Sequence, residues 1–190
     1  MKKRIVVGLT GSFGSGKTTV NQIFRKLGAR VINADQIVHE VFESRHPMAG
    51  KIKALFNAER ISRKQIAWEI FNDPEKRQRL EALVHPYVKT RIQKELNKFV
   101  RGIVVLEIPL LFEAGFDRLC DKTVAVIAGR ENIMKRLVKH GFSPEEISAR
   151  LSAQWSEDEK KKRAGYAILN DGSKEKLRKE VQTIWTKLVQ

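Results

Sequence analysis

The chain has 190 residues, 42% of them hydrophobic, with 12 glycines and 5 prolines; that suits one packed domain with an insertion and excludes a disordered protein. Thirty-seven lysines and arginines against 22 acidic residues leave a formal net charge of +15, which fits a phosphate-rich partner or a lysine-rich solvated surface. One cysteine (Cys120) excludes an intrachain disulfide and suits a reducing cytoplasm; four scattered histidines exclude a structural zinc site, and no apolar run approaches the ~18 residues of a membrane span.

In chain order, "RIVVGL" (4–9) predicts a buried strand. The loop "GSFGSGKT" (11–18) follows, and then Val20, Ile23, Phe24 and Leu27 recur at helical spacing until Gly28. "ARVINA" (29–34) is a second short strand. About seventy residues of mostly helical pattern come next, where a simple crossover needs about a dozen, so 36–101 is expected to be an inserted helical subdomain. Within it Val84, Val88, Ile92 and Leu96 recur every four residues, in a helix expected after His85.

"GIVVLEI" (102–108) and "KTVAVIA" (122–128) are the third and fourth strands. Ile147, Leu151 and Trp155 share a later helical stripe, and the run "EKKKRAG" (159–165) suits a solvated helix end or a basic patch. "YAILN" (166–170) is the fifth strand, and Leu177, Val181, Ile184, Trp185 and Leu188 stripe a C-terminal helix. Strands alternating with helices predict an α/β fold with a parallel sheet covered on both faces.

Gly11, Gly16, Lys17 and Thr18 have the spacing G-x-x-x-x-G-K-T, the pattern of a phosphate-binding loop. Glycines let main-chain amides curl inward against phosphate oxygens, the following helix aims its positive end at the same point, Lys17 reaches the terminal phosphates and the Thr18 hydroxyl can ligate Mg²⁺. By chance the pattern arises in about one unrelated chain in 150 of this length. Its place between a first strand and a helix makes a nucleoside triphosphate the expected ligand.

The loop does not name a reaction, and on open α/β sheets the deciding residues lie at the other strand ends. Asp35 follows the second strand, where a carboxylate can take a proton from an attacking hydroxyl, help to hold Mg²⁺, or simply cap the next helix. Glu107 ends the third strand in the manner of a metal-site acid, and Glu113, beyond two leucines and a phenylalanine, is the better functional candidate. Arg136 and Arg150 lie on helices that could form a flap over the phosphates, or are solvated. "NDG" (170–172) is an ordinary turn by composition.

Together these segments resemble the dephospho-coenzyme A kinase family over nearly the full length. The resemblance rests on "VGLTGSFGSGKTTV", "VINADQIVHEV", "LEALVHPYV" (80–88), "LEIPLLFEAG" (106–115), "ARLSAQ" (149–154) and "ILNDG" (168–172). It implies a P-loop kinase core with a five-stranded parallel sheet in the order 2-3-1-4-5, a helical substrate-binding insertion (36–101) and a helical lid (130–164). The implied activity is transfer of the γ-phosphate of MgATP to the ribose 3′-hydroxyl of dephospho-CoA. No nucleic-acid or membrane partner is expected. Another small-molecule kinase, of nucleoside or nucleotide type, and more distantly a nucleic-acid-stimulated ATPase are the alternatives.

Carried onto this chain, Gly11, Gly14, Ser15, Gly16, Lys17, Thr18 and Thr19 hold phosphate, with Thr18 on the metal and Arg150 and Asn170 also on ATP. Lys17, Asp35 and Arg136 are the implied catalytic groups, Asp35 as base. Thr10, Asp35, His85, Leu111 and Glu113 belong to the acceptor side, with His85 and Pro86 matching a helix-opening pair. Asn33 stands where the family usually has a first aspartate, and Lys139 or His140 where a lid arginine is common.

Overall fold

β1 (Ile5–Thr10) has five consecutive buried residues, the pattern of a strand covered on both faces, and it forms the middle of the sheet. A computed structural model describes residues 3–43, 45–60 and 62–190. The chain divides into two compact units, one built from residues up to Ile32 together with Lys98–Gln190, the other from Asn33–Asn97.

In the first unit β1 pairs in parallel with β3 (Ile103–Glu107), from Ile5 opposite Ile103 to Leu9 opposite Glu107. On its other side it pairs with β4 (Lys122–Ile127), from Val7 opposite Lys122 to Thr10 opposite Ala125. β5 (Tyr166–Leu169) lies beyond β4 and β2 (Arg30–Asn33) beyond β3, so the order is β2-β3-β1-β4-β5, as the resemblance implied. α1 (Lys17–Lys26) and α9 (Lys174–Val189) bury Val20, Phe24, Leu177, Val181, Ile184 and Leu188 against Val7, Leu9, Val105, Val124 and Val126. Gly28, at φ +101°, follows the end of α1 in a conformation that a side chain would strain.

A second cluster joins α6 (Arg130–Lys139) to α7 (Pro144–Ser152) through Ile133, Leu137 and Ile147, with Phe13 and Phe142 packed on it. Sequence periodicity had extended α7 to Trp155. Instead α7 stops at Ser152 and α8 (Glu157–Arg163) starts anew, because Ser143 with Glu146 and Ser156 with Glu159 each form a reciprocal capping box.

The unit Asn33–Asn97 holds α2 (Ala34–Val41), α3 (Ala49–Leu55), α4 (Arg63–Asn72) and α5 (Pro74–Asn97). Leu80, Val84, Val88, Ile92 and Leu96 are the buried stripe of α5. The helix does not open at His85 and Pro86: it begins at Pro74 and carries Pro86 inside it. The stripe runs at the same four-residue spacing on both sides of Pro86, so burial along one face outweighs the one main-chain hydrogen bond that a proline removes.

Candidate active site

The loop between β1 and α1 is built by close approach. A Cβ on Gly11 would lie 2.4 Å from the Val126 carbonyl oxygen, and one on Gly16 would lie 2.1 Å from Asn170 Nδ2. Gly16 has φ +100° and caps α1 without a side-chain hydrogen bond, so the cap residue itself leaves the amides of the first turn to another acceptor. Lys17 Nζ donates to the Gly11 carbonyl (2.7 Å) and the Ser12 carbonyl (3.1 Å). An ammonium resting on neutral carbonyls at an uncapped helix start can exchange them for phosphate oxygens. Thr18 is exposed in the first turn of α1, and Thr19 is half-buried beside it.

The ends of β4 and β5 hold this loop. The Asn170 side chain is buried and donates to the Ser15 carbonyl (2.7 Å), while its own amide donates to Ile127 (2.7 Å). Arg136 donates to the Asn170 carbonyl and, at longer range, to the carbonyls of Gly14 (3.5 Å) and Ser15 (3.4 Å). Arg136 and Asn170, expected on catalysis and on ATP, thus brace the loop from behind in this conformation. Ser15 is fully buried, its hydroxyl without a hydrogen-bond partner among the described residues.

Asp171, passed over in the sequence as part of a turn, accepts from the Gly129 amide (2.7 Å) and from Asn132 Nδ2 (2.9 Å). It supplies the cap that Gly129 cannot give α6, the helix that carries Arg136. The Asn132 hydrogen bond, with the Gly129 amide, holds its carboxyl below the ordinary value.

Arg150 lies between two rings, its guanidinium carbon 4.7 Å from the Phe13 centroid and 4.9 Å from that of Phe142. The rings meet edge to face at 5.0 Å, and the Phe13 amide donates to Gln154 Oε1 (3.0 Å). Lys139 ends α6 and His140 caps it, both exposed.

At the end of β3, Glu107 is buried and accepts from Asn21 Nδ2 (2.7 Å). The Thr10 hydroxyl donates to the Pro109 carbonyl (2.9 Å). Leu111, expected on the acceptor side, is fully buried and packs over Gly8. Glu113 pairs with Lys160 (2.9 Å) and accepts from the Trp155 amide (2.9 Å). Lys160 belongs to the run taken from the sequence as a solvated end or patch, yet its side chain has no exposed surface. Composition cannot reveal this, because its partners lie some fifty residues away in sequence.

In the unit Asn33–Asn97, the Asn33 side chain accepts from the amides of Asp35 (2.8 Å) and Gln36 (3.3 Å) and so caps α2. The cap is therefore Asn33, and Asp35 stands exposed in the first turn. His85 is half-buried on α5, and burial lowers its pKa from 6.5, with Glu81 acting in the opposite sense. Cys120 is packed away under β1, and burial raises its thiol to about 12, which makes it unreactive.

Among the described residues no helix is long and apolar enough to cross a membrane, and no group of three or more histidine, cysteine or acidic residues could hold a metal ion. The sequence model of one family, described as dephospho-CoA kinase, matches residues 5–176. A dephospho-CoA kinase of Symbiobacterium thermophilum is 39% identical, over 95% of this chain and 80% of the relative. One of Thermus thermophilus is 36% identical, over 98% and 93%. In structure, a dephospho-CoA kinase of Campylobacter jejuni superposes with a TM-score of 0.68 at 27% identity, covering 97% of each chain. A shikimate kinase of Acinetobacter baumannii, at 17% identity and a TM-score of 0.56, shares the fold over 97% of this chain and 93% of its own.

Proposed function

This chain belongs to the dephospho-CoA kinase family, and from that premise we propose that it transfers the γ-phosphoryl group of ATP to the ribose 3′-hydroxyl of dephospho-CoA. The observation that carries the proposal is the phosphate loop, with Lys17 and the uncapped start of α1 converging on one anion seat.

Phosphoryl transfer asks a protein for position and charge more than for covalent chemistry. The loop amides from Gly14 to Thr19 hold the β- and γ-phosphates. Lys17 leaves the Gly11 and Ser12 carbonyls to neutralise them. Asp35 is the proposed base; its support is its place directly after β2, exposed in the first turn of α2. Arg150, released from Phe13 and Phe142, and Arg136 add cationic charge as α6 and α7, the part of the 130–164 lid region ahead of the anchored α8, close and exclude water. Residues 36–101 are the proposed seat of the acceptor, with His85 among its contacts, and Thr10, Leu111 and Glu113 shape the acceptor side of the sheet unit. A cytoplasmic location is part of the proposal, supported by a single cysteine whose thiol is buried.

Mg²⁺ fits the residues present. Thr18 offers an exposed hydroxyl, and the first turn of α1 holds no acidic side chain, as suits an ion carried mostly by phosphate oxygens. Bound there, it would supply charge neutralisation to the triphosphate.

The test is ADP release from MgATP with dephospho-CoA, AMP, a nucleoside, or no acceptor. Dephospho-CoA alone should drive turnover. Equal or greater turnover with AMP or a nucleoside would put the chain with the nucleotide kinases, and acceptor-independent release would make it an ATPase.

A further inference from the structure

Lys160 is the one residue with a charged side chain among the largest fully buried side chains of the described residues. A buried ammonium persists only where partners replace its water. Its Nζ pairs with Glu113 Oε1 at 2.9 Å and donates to the Pro109 carbonyl at 2.9 Å. That carbonyl also accepts from Thr10 Oγ1, in the residue before the first glycine of the phosphate loop.

The network extends beyond this pair. Glu113 Oε1 accepts from the Trp155 amide, and the preceding residue, Gln154, accepts the amide of Phe13 inside the loop. The Trp155 ring stacks on Phe112 at 6.1 Å, next to Glu113. One turn before Lys160 on α8, Glu157 accepts from the Ala128 amide at the end of β4. One turn after it, Arg163 pairs with Asp117 at 3.2 Å. α8 is thereby pinned at the C-terminal ends of β3 and β4, and through Pro109 to β1, with Lys160 at the centre.

We propose that Lys160 is a positioning residue for phosphoryl transfer. By holding the Glu113 carboxylate, it fixes the Gln154–Trp155 segment and through it the Phe13 side of the phosphate loop. It touches neither substrate in the function proposed above, on which its kinetic consequence rests. Placement errors of about 1 Å at a reacting centre cost on the order of 10²-fold in rate, so a network that sets the loop acts on kcat first. Glu113 Oε2 is buried without a hydrogen-bond partner among the described residues, so this carboxylate is held through Oε1, by Lys160 and the Trp155 amide together.

Lys160→Met removes the charge at similar length and leaves the carboxylate uncompensated. It should lower kcat about 10- to 100-fold while the KM for ATP stays within about threefold, because the amides of Gly14 to Thr19 and Lys17 remain. In the substrate-free protein the Trp155 and Phe13 amides should exchange their hydrogens at least about tenfold faster, by NMR. In Lys160→Met with Glu113→Gln the Trp155 and Phe13 amides should return most of the way to wild-type exchange, since a neutral amide oxygen can still accept from Trp155.

Wild-type kcat and exchange rates in Lys160→Met would overturn the proposal. So would a double variant whose amides exchange no more slowly than those of the single one. If the single variant does not fold, Glu113→Gln is the reference: removing Lys160 from it should leave kcat equal or higher, and a further fall refutes the idea. The exchange measurement uses no substrate, so it decides the network even if dephospho-CoA proves not to be the acceptor.

Discussion

The two units are held in different ways. In the sheet unit the phosphate loop and the strand ends around it are tied by side-chain hydrogen bonds to main-chain atoms: Asn170 on Ser15, Arg136 on Asn170, Asp171 on Gly129, Lys160 on Pro109. In the helical unit the joints are an apolar stripe on α5 and exposed or half-exposed ion pairs, such as Lys76 with Glu69 and Arg91 with Glu40 and Glu95. Exposed pairs contribute little, so burial along the α5 stripe carries most of the helical unit's packing. The sheet unit therefore depends on single polar contacts at strand ends, and the helical unit mainly on one apolar stripe.

The comparison is broken most directly at Asp35. Asp35→Asn should lower kcat by about 10²- to 10⁴-fold with ATP affinity nearly intact, measured by steady-state turnover and ATP titration. If turnover barely changes, the helical unit supplies no base and the division of labour fails.

Next in size are core truncations, one in each unit. Phe24→Ala, fully buried under the sheet, should cost about 3–5 kcal/mol, and Ile92→Ala, fully buried on α5, about 2–5 kcal/mol, by urea unfolding. If the sheet unit holds its phosphate loop by its own contacts, Ile92→Ala should leave ATP affinity unchanged at 25 °C. A matching loss of ATP binding would show that the two units unfold as one.

A smaller effect is expected at the start of α2. Asn33→Ala should cost about 1 kcal/mol, because two amides lose their acceptor, whereas Asn33→Asp should change stability by only a few tenths. Asn33→Asp also restores the acid usual in the family, so a rise in kcat would show that the second carboxylate serves chemistry and not only capping.

The smallest concerns pH. Burial depresses the His85 pKa, so the unfolded chain takes up that proton first. Its contribution is fully present above pH 6.5 and is lost as pH falls below 6.5 towards the folded value. His85→Gln should flatten the decline in melting temperature between about pH 7 and 5. An unchanged slope would assign the decline to other groups.

Much of this was legible in the letters. The strands and their order followed from apolar runs and from the family resemblance, and the loop from four residues at fixed spacing. The break between α7 and α8 was also legible, in Ser143 with Glu146 and Ser156 with Glu159, although periodicity alone ran through it. Asn33 as a cap could have been read from its place ahead of Ala34–Val41, yet Asp35 next to it has the same preference, and only geometry separates them.

The sequence by itself determined where the anion seat lies, because glycines at fixed spacing between a strand and a helix are a local device for turning amides inward. Tertiary structure alone decided which charges are solvent-facing and which are structural. Lys160 reads like its neighbours Lys161 and Lys162, and it differs only because folding brings Pro109 and Glu113 to it from fifty residues away. A charge is buried or solvated according to what packs against it, and that is a property of long-range contacts that no local pattern encodes.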